Sequence, residues 1–133
     1  MAAIGIVQLK RFSEYAEKRR KLAKRYDQLF ASHPIIQPVS RDYDNVVPHL
    51  YVVRILGMNN RNDIQQCLLD TGIQTGCHYQ PNHWLSYFRD DNLKPLPVSD
   101  LVFPELLSLP LHPDISEADV EYVAGEFIGV LES

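Results

Sequence analysis

The densest run of side chains able to do chemistry is Thr75-Gly76-Cys77-His78-Tyr79-Gln80-Pro81-Asn82-His83-Trp84. Its two imidazoles and a phenol can exchange hydrogen bonds with phosphates or sugar hydroxyls. The run leads from an extended stretch into a proline-containing loop, where a rigid scaffold commonly holds binding residues. A structural turn whose aromatic rings fill the core beneath it is the competing reading. The remaining histidines are His33, His49 and His112. His78 and His83 stand across Pro81, not at the helical spacing of an HExxH site, and no Cys–His spacing fits structural zinc. No metal is therefore expected. Cys77 has no flanking signature of a nucleophile, and GxSxG, P-loop and GxGxxG patterns are absent from the sequence. The residues alone do not spell out a complete catalytic set.

These side chains need elements to position them. The chain has 133 residues, 45% hydrophobic and 23% charged, with a formal charge of −4. That length suits one domain with one core over residues 1–133. The charge argues against a nucleic-acid binder, and no apolar run reaches the ~20 residues of a membrane span. No basic leader precedes an apolar stretch at Met1-Ala2-Ala3-Ile4-Gly5, and Cys67 and Cys77 read as two packed thiols in a reducing compartment. A cytoplasmic location follows as the expectation.

Leu9, Phe12, Ala16, Ala23, Tyr26 and Phe30 recur at helical spacing, interrupted by Arg19, so a long helix is expected from Ala2 to about Ser32. It holds eight basic side chains against three acidic ones, which leaves five basic and fourteen acidic for the rest. The pairs Glu14–Lys18 and Glu17–Lys21 suit a solvated face. Residues 33–48 read as loop, and Leu50–Leu56 as the best strand. A helix through Ile64 and Leu68 should stop at Thr71-Gly72. A strand is expected over about Ile73 to Tyr79, and a short helix over Trp84 to Phe88. Another helix, capped by Ser99, should run through Leu107, followed by a brief extended Ser108–Leu111. Ser116 with Asp119 should cap a last helix whose apolar face is Val120, Val123, Phe127, Val130 and Leu131. This order indicates an α+β fold: a small sheet of about three strands, packed helices and a long N-terminal helix.

Five segments, in order, resemble the DegT/DnrJ/StrS-type sugar aminotransferases. They are Ala2–Leu9, Arg19–Tyr26, His49–Arg54, Gly72–His83 and Leu107–Pro113 with Ser116–Val120. The resemblance implies the small domain of a fold type I enzyme that uses pyridoxal phosphate. Such an enzyme moves an amino group from an amino-acid donor, usually glutamate, to a nucleotide-linked keto sugar in bacterial glycan pathways. It implies a large cofactor-binding domain and a homodimer partner, and substrate contacts from His78, Tyr79 and His83. The family's Schiff-base lysine segment is not matched. Lys10, Lys18, Lys21, Lys24 and Lys94 all stand in other contexts, so the isolated chain is expected to hold no cofactor and to be inactive. A self-standing binding module without catalysis is the alternative. An exposed apolar surface along Ile4, Val7 and Phe12 would favour the enzyme piece.

Overall fold

Alanine, leucine, lysine and arginine, all good helix formers, make up much of the first thirty residues, and no proline interrupts them. They form one helix, α1, over Ala2–Phe30. The computed structural model describes residues 2–58, 60–88 and 94–133. The apolar stripe of α1 divides into two parts. Ala16, Leu22, Ala23, Tyr26 and Phe30 are buried, whereas Leu9 and Phe12 are exposed like every residue from Ala3 to Glu14. No described element covers those first turns.

Three strands form an antiparallel sheet in chain order: β1 (Ile36–Pro38), β2 (Tyr51–Ile55) and β3 (Leu106–Leu109). Ile36 lies opposite Ile55, Val53 opposite Leu107, and Tyr51 opposite Leu109. Alternation along β2 buries Tyr51, Val53 and Ile55 and leaves Val52 and Arg54 half-buried. The buried set joins Tyr26, Phe30, Leu107, Val120 and Phe127 in one core. Tyr26 stacks on Tyr51 with 4.5 Å between centroids, and Phe127 meets Phe30 edge-on at 5.8 Å. Asp27 accepts the hydroxyls of Tyr43 and Tyr51 at 2.7 and 2.8 Å, so neither phenol in this packed region lacks a partner.

Helix α2 (Arg61–Asp70) stops where expected. Gly72 adopts φ 83°, Gly72 N–H donates to Leu69 O at 2.9 Å and Ile73 N–H to Leu68 O at 2.8 Å. That pair of bonds at a left-handed glycine satisfies carbonyls the helix end leaves open. The Ser116–Asp119 capping box starts α4 (Glu117–Glu132), with Val120, Val123 and Phe127 buried and Val130 and Leu131 half-buried. Charge complementarity joins α4 to α1, because Lys21 pairs with Glu117 at 2.5 Å and Arg25 with Glu121 at 2.6 Å. Glu14–Lys18 forms at 3.1 Å. Lys21 reaches across to α4 rather than along α1 to Glu17.

The structure differs from expectation in the identity of one strand and in several boundaries. Residues 36–38 form edge strand β1, ending at Pro38, where a missing N–H costs no ladder bond. Ile73–Tyr79 is not a strand: only Gly76 bridges to Ser108. Trp84–Phe88 becomes two 3-10 turns, Asn82–Trp84 and Ser86–Phe88. Helix α3 covers Pro97–Val102, with a 3-10 turn at Phe103–Glu105, and Leu106 and Leu107 belong to β3. Pro104 and the pairing with β2 end the helix early. Glu105 then sits buried under Arg54, accepting from its guanidinium and from Gly57 N–H at 2.9 Å. The Arg54 guanidinium first, then Gly57, holds its carboxyl below the usual range. Cys67 is exposed and Cys77 half-buried, and both are free.

Candidate functional site

Ser108 in β3 is flanked on both sides. It pairs with Val52 of β2, and across the other edge it exchanges two backbone hydrogen bonds with Gly76, at 3.0 and 2.8 Å. Strand alternation turns Ser108 away from the core that receives Leu107 and Leu109. His78 returns over this attachment, with Nδ1 3.0 Å from Ser108 Oγ. The His78–Tyr79 peptide is cis. Tyr79 is 79% exposed and meets the His78 ring edge-on at 5.1 Å. A single bridge thus fixes His78 to the sheet and leaves the following phenol in solvent.

Close approach of the imidazole explains a glycine at 76. A Cβ there would stand 2.5 Å from His78 Cε1 and 3.2 Å from Nδ1. Gly76→Ala is expected to break the Ser108–His78 hydrogen bond and cost about 1 kcal/mol, read from the urea midpoint. Gly125→Ala, on an exposed turn of α4 where an added Cβ meets nothing within 4 Å, is expected to raise the midpoint by up to about 1 kcal/mol. Equal shifts in both variants would contradict the packing described.

His83 is held differently. Its side chain retains 18% exposure, and Nε2 lies 2.7 Å from Asp100 Oδ1, in the first turn of α3. Trp84 Nε1 donates to the same oxygen at 2.7 Å, and the indole meets Phe103 edge-on at 5.0 Å. The His83 and then the Trp84 hydrogen bond keep the Asp100 carboxyl below its usual range. Sequence reading missed Asp100, which stands 17 positions from His83 in no local pattern. It also read Arg19 as a mere interruption. Its guanidinium in fact donates to the carbonyls of His49 at 3.0 Å and Leu111 at 2.9 Å, tying two loops to α1.

No hydrogen bond or ring contact joins His78 to His83 among the described residues; each has its own anchor. Burial raises the Cys77 thiol against the lowering effect of Arg61 nearby, the opposite of an activated nucleophile. No group of three or more His, Cys, Asp or Glu side chains is placed to hold a metal among the described residues. Nor is any described helix long and apolar enough to cross a membrane. An open groove of about 710 Å³ lies elsewhere, between α1 at Leu9, Phe12 and Arg19 and the loops at Pro48 and Pro113.

All five lysines are exposed; Lys18 and Lys21 are paired with carboxylates, and Lys24 lies over the Tyr43 ring. A lysine that forms a Schiff base needs an enclosed, activating site. The described residues therefore do not fit covalent attachment of pyridoxal phosphate.

Comparison with known proteins gives a consistent result. Residues 1–127 match the DegT/DnrJ/EryC1/StrS aminotransferase family. The chain is 33% identical over 132 residues to dTDP-4-dehydro-2,3,6-trideoxy-D-glucose 4-aminotransferase of Saccharopolyspora spinosa. Among solved structures it resembles Spr1654 of Streptococcus pneumoniae, assigned as a sugar aminotransferase, in its PLP form. There the TM-score is 0.92 at 31% identity, covering 99% of this chain and 35% of that one. Helicobacter pylori PseC, an aminotransferase of pseudoaminic acid biosynthesis, gives a TM-score of 0.89 at 25% identity, covering 98% of this chain and 36% of that one. The chain thus spans about a third of the length of these relatives. With the motif order, the α+β fold and a match across nearly its whole length in agreement, this chain belongs to the DegT/DnrJ/EryC1/StrS aminotransferase family.

Proposed function

We propose that these residues form the small domain of a pyridoxal-phosphate-dependent sugar aminotransferase. The whole enzyme transfers an amino group from an amino acid, glutamate in this reading, to a keto sugar carried on a nucleotide. The chain's own part is recognition: His78, Tyr79 and His83 meet the sugar nucleotide, and the cofactor is held by a large domain that pairs in a homodimer. The observation that carries this reading is the exposed start of α1. Ile4, Ile6, Val7, Leu9 and Phe12 are 54–75% exposed on a helix whose second half is core. Exposed apolar residues in such a run mark a surface that another domain covers. A self-standing binding module has less support, because it gives those residues nothing to cover them.

Amino transfer needs the cofactor's electron sink and a lysine that moves the proton, and the lysines here are all exposed, with Lys18, Lys21 and Lys24 engaged by Glu14, Glu117 and the Tyr43 ring. The 133-residue polypeptide alone, given pyridoxal phosphate and a keto sugar nucleotide, is expected to show no turnover. It should also show no borohydride-sensitive absorbance in the rough 330–420 nm band of a lysine-linked cofactor. Turnover together with such a band would overturn the assignment of the cofactor to another domain.

A further inference from the structure

His83 has two ring nitrogens, and the described residues engage one of them. Nε2 faces Asp100 Oδ1 at 2.7 Å, while Nδ1 has no hydrogen-bond partner among the described residues. It is not among their buried unpartnered atoms either, which are His33 Nδ1 and Arg61 Nε. An ionised carboxylate only accepts, so the hydrogen between Nε2 and Oδ1 belongs to the imidazole. Asp100 is itself constrained. Trp84 Nε1, a donor with no acceptor capacity, approaches the same oxygen at 2.7 Å, and its indole rests against Phe103 just before β3. The carboxylate thus has its accepting oxygen fixed by one ring while it fixes another.

We propose that Asp100 is a positioning residue: it fixes a hydrogen of His83 on Nε2, so that the ring in its neutral form presents Nδ1 as a hydrogen-bond acceptor. This rests on the reading of His83 as a substrate contact and sharpens it. An acceptor recognises a donor, and a sugar hydroxyl can donate, whereas an ionised phosphate cannot. With its hydrogen fixed on Nε2, the neutral ring form is matched to the sugar part of a sugar nucleotide rather than to its diphosphate. Which ring nitrogen carries the proton is set by what the other atoms of the network accept, and here that is the carboxylate.

Nitrogen-15 imidazole spectra of the 133-residue chain, followed upward in pH until the His83 ring is observed in its neutral form, test this directly. The expected result is an observable Nε2–H proton on His83, protected from solvent exchange by Asp100. Asp100→Ala should lose that signal, and Asp100→Asn, which keeps an acceptor oxygen, should restore it. Trp84→Phe should leave the protonated nitrogen unchanged. Methyl signals of Val53 and Val120 report whether each variant keeps its core. A proton on Nδ1 in the unaltered chain would overturn the proposal, as would an Nε2–H signal that persists in Asp100→Ala. Loss in Asp100→Asn with an intact core would count against it equally. No ligand enters these spectra. A failure of His83 to touch the sugar would appear only in the turnover of a His83→Ala variant joined to a relative's remaining two-thirds.

Discussion

Phe127→Ala is expected to destabilise the chain by about 3–5 kcal/mol, the range for emptying a buried aromatic site. Phe127 is fully buried on α4, meets Phe30 edge-on at 5.8 Å, and belongs to the cluster that joins both long helices to the sheet. Neighbours from three directions cannot all collapse into the space, so transfer cost and cavity cost add. A domain of this size has roughly 5–15 kcal/mol of total stability, so the urea midpoint should fall by a large fraction at unchanged slope. Leu101→Ala, at a position 65% exposed on α3, should move it by about 0.5 kcal/mol or less. Equal effects at the two positions would show that the core is placed wrongly.

Where local chemistry decided an element, its limits could be read from residue order. α1 needed only good helix formers without proline. The α2 terminus needed Gly72, and α4 needed Ser116 and Asp119 three apart. Elements that depend on pairing were harder to read. β1 is three residues that end on Pro38, held by Ile36 opposite Ile55, and nothing local distinguishes it from loop. Ile73–Tyr79 has strand-like composition, yet it meets the sheet at Gly76 alone, through a single bridge to Ser108. Leu106 and Leu107 continue the apolar spacing of α3 but belong to the strand opposite Arg54 and Val53.

The candidate site was legible to the same degree. His78 and His83 stood out by type. Their anchors, Ser108 and Asp100, lie 30 and 17 positions away and become visible only once the chain is folded. Arg19 shows the reverse case, a charged residue whose hydrogen bonds to two loops account for its place in an apolar stripe.

The second large effect concerns activity. Each hydrogen bond from a neutral side chain to substrate contributes roughly 0.5–1.5 kcal/mol. Losing those of both imidazoles should therefore lower kcat/KM by about 10- to 100-fold. Ser108 and Asp100 hold the two rings separately, so each single variant should show part of the loss and the double variant close to the sum. Additivity of that kind is expected of groups that share no partner.

The decisive measurement uses a hybrid enzyme, with this chain in place of the matching third of Spr1654, assayed for amino transfer to a nucleotide-linked keto sugar. The expected result is a folded hybrid that carries pyridoxal phosphate and turns over. The His78→Ala, His83→Ala hybrid should keep the cofactor and lose about 10- to 100-fold in kcat/KM. A folded, cofactor-loaded hybrid without turnover would show that this chain is not the small domain of such an enzyme. A double variant whose kcat/KM matches that of the unaltered hybrid would show that His78 and His83 do not meet the substrate.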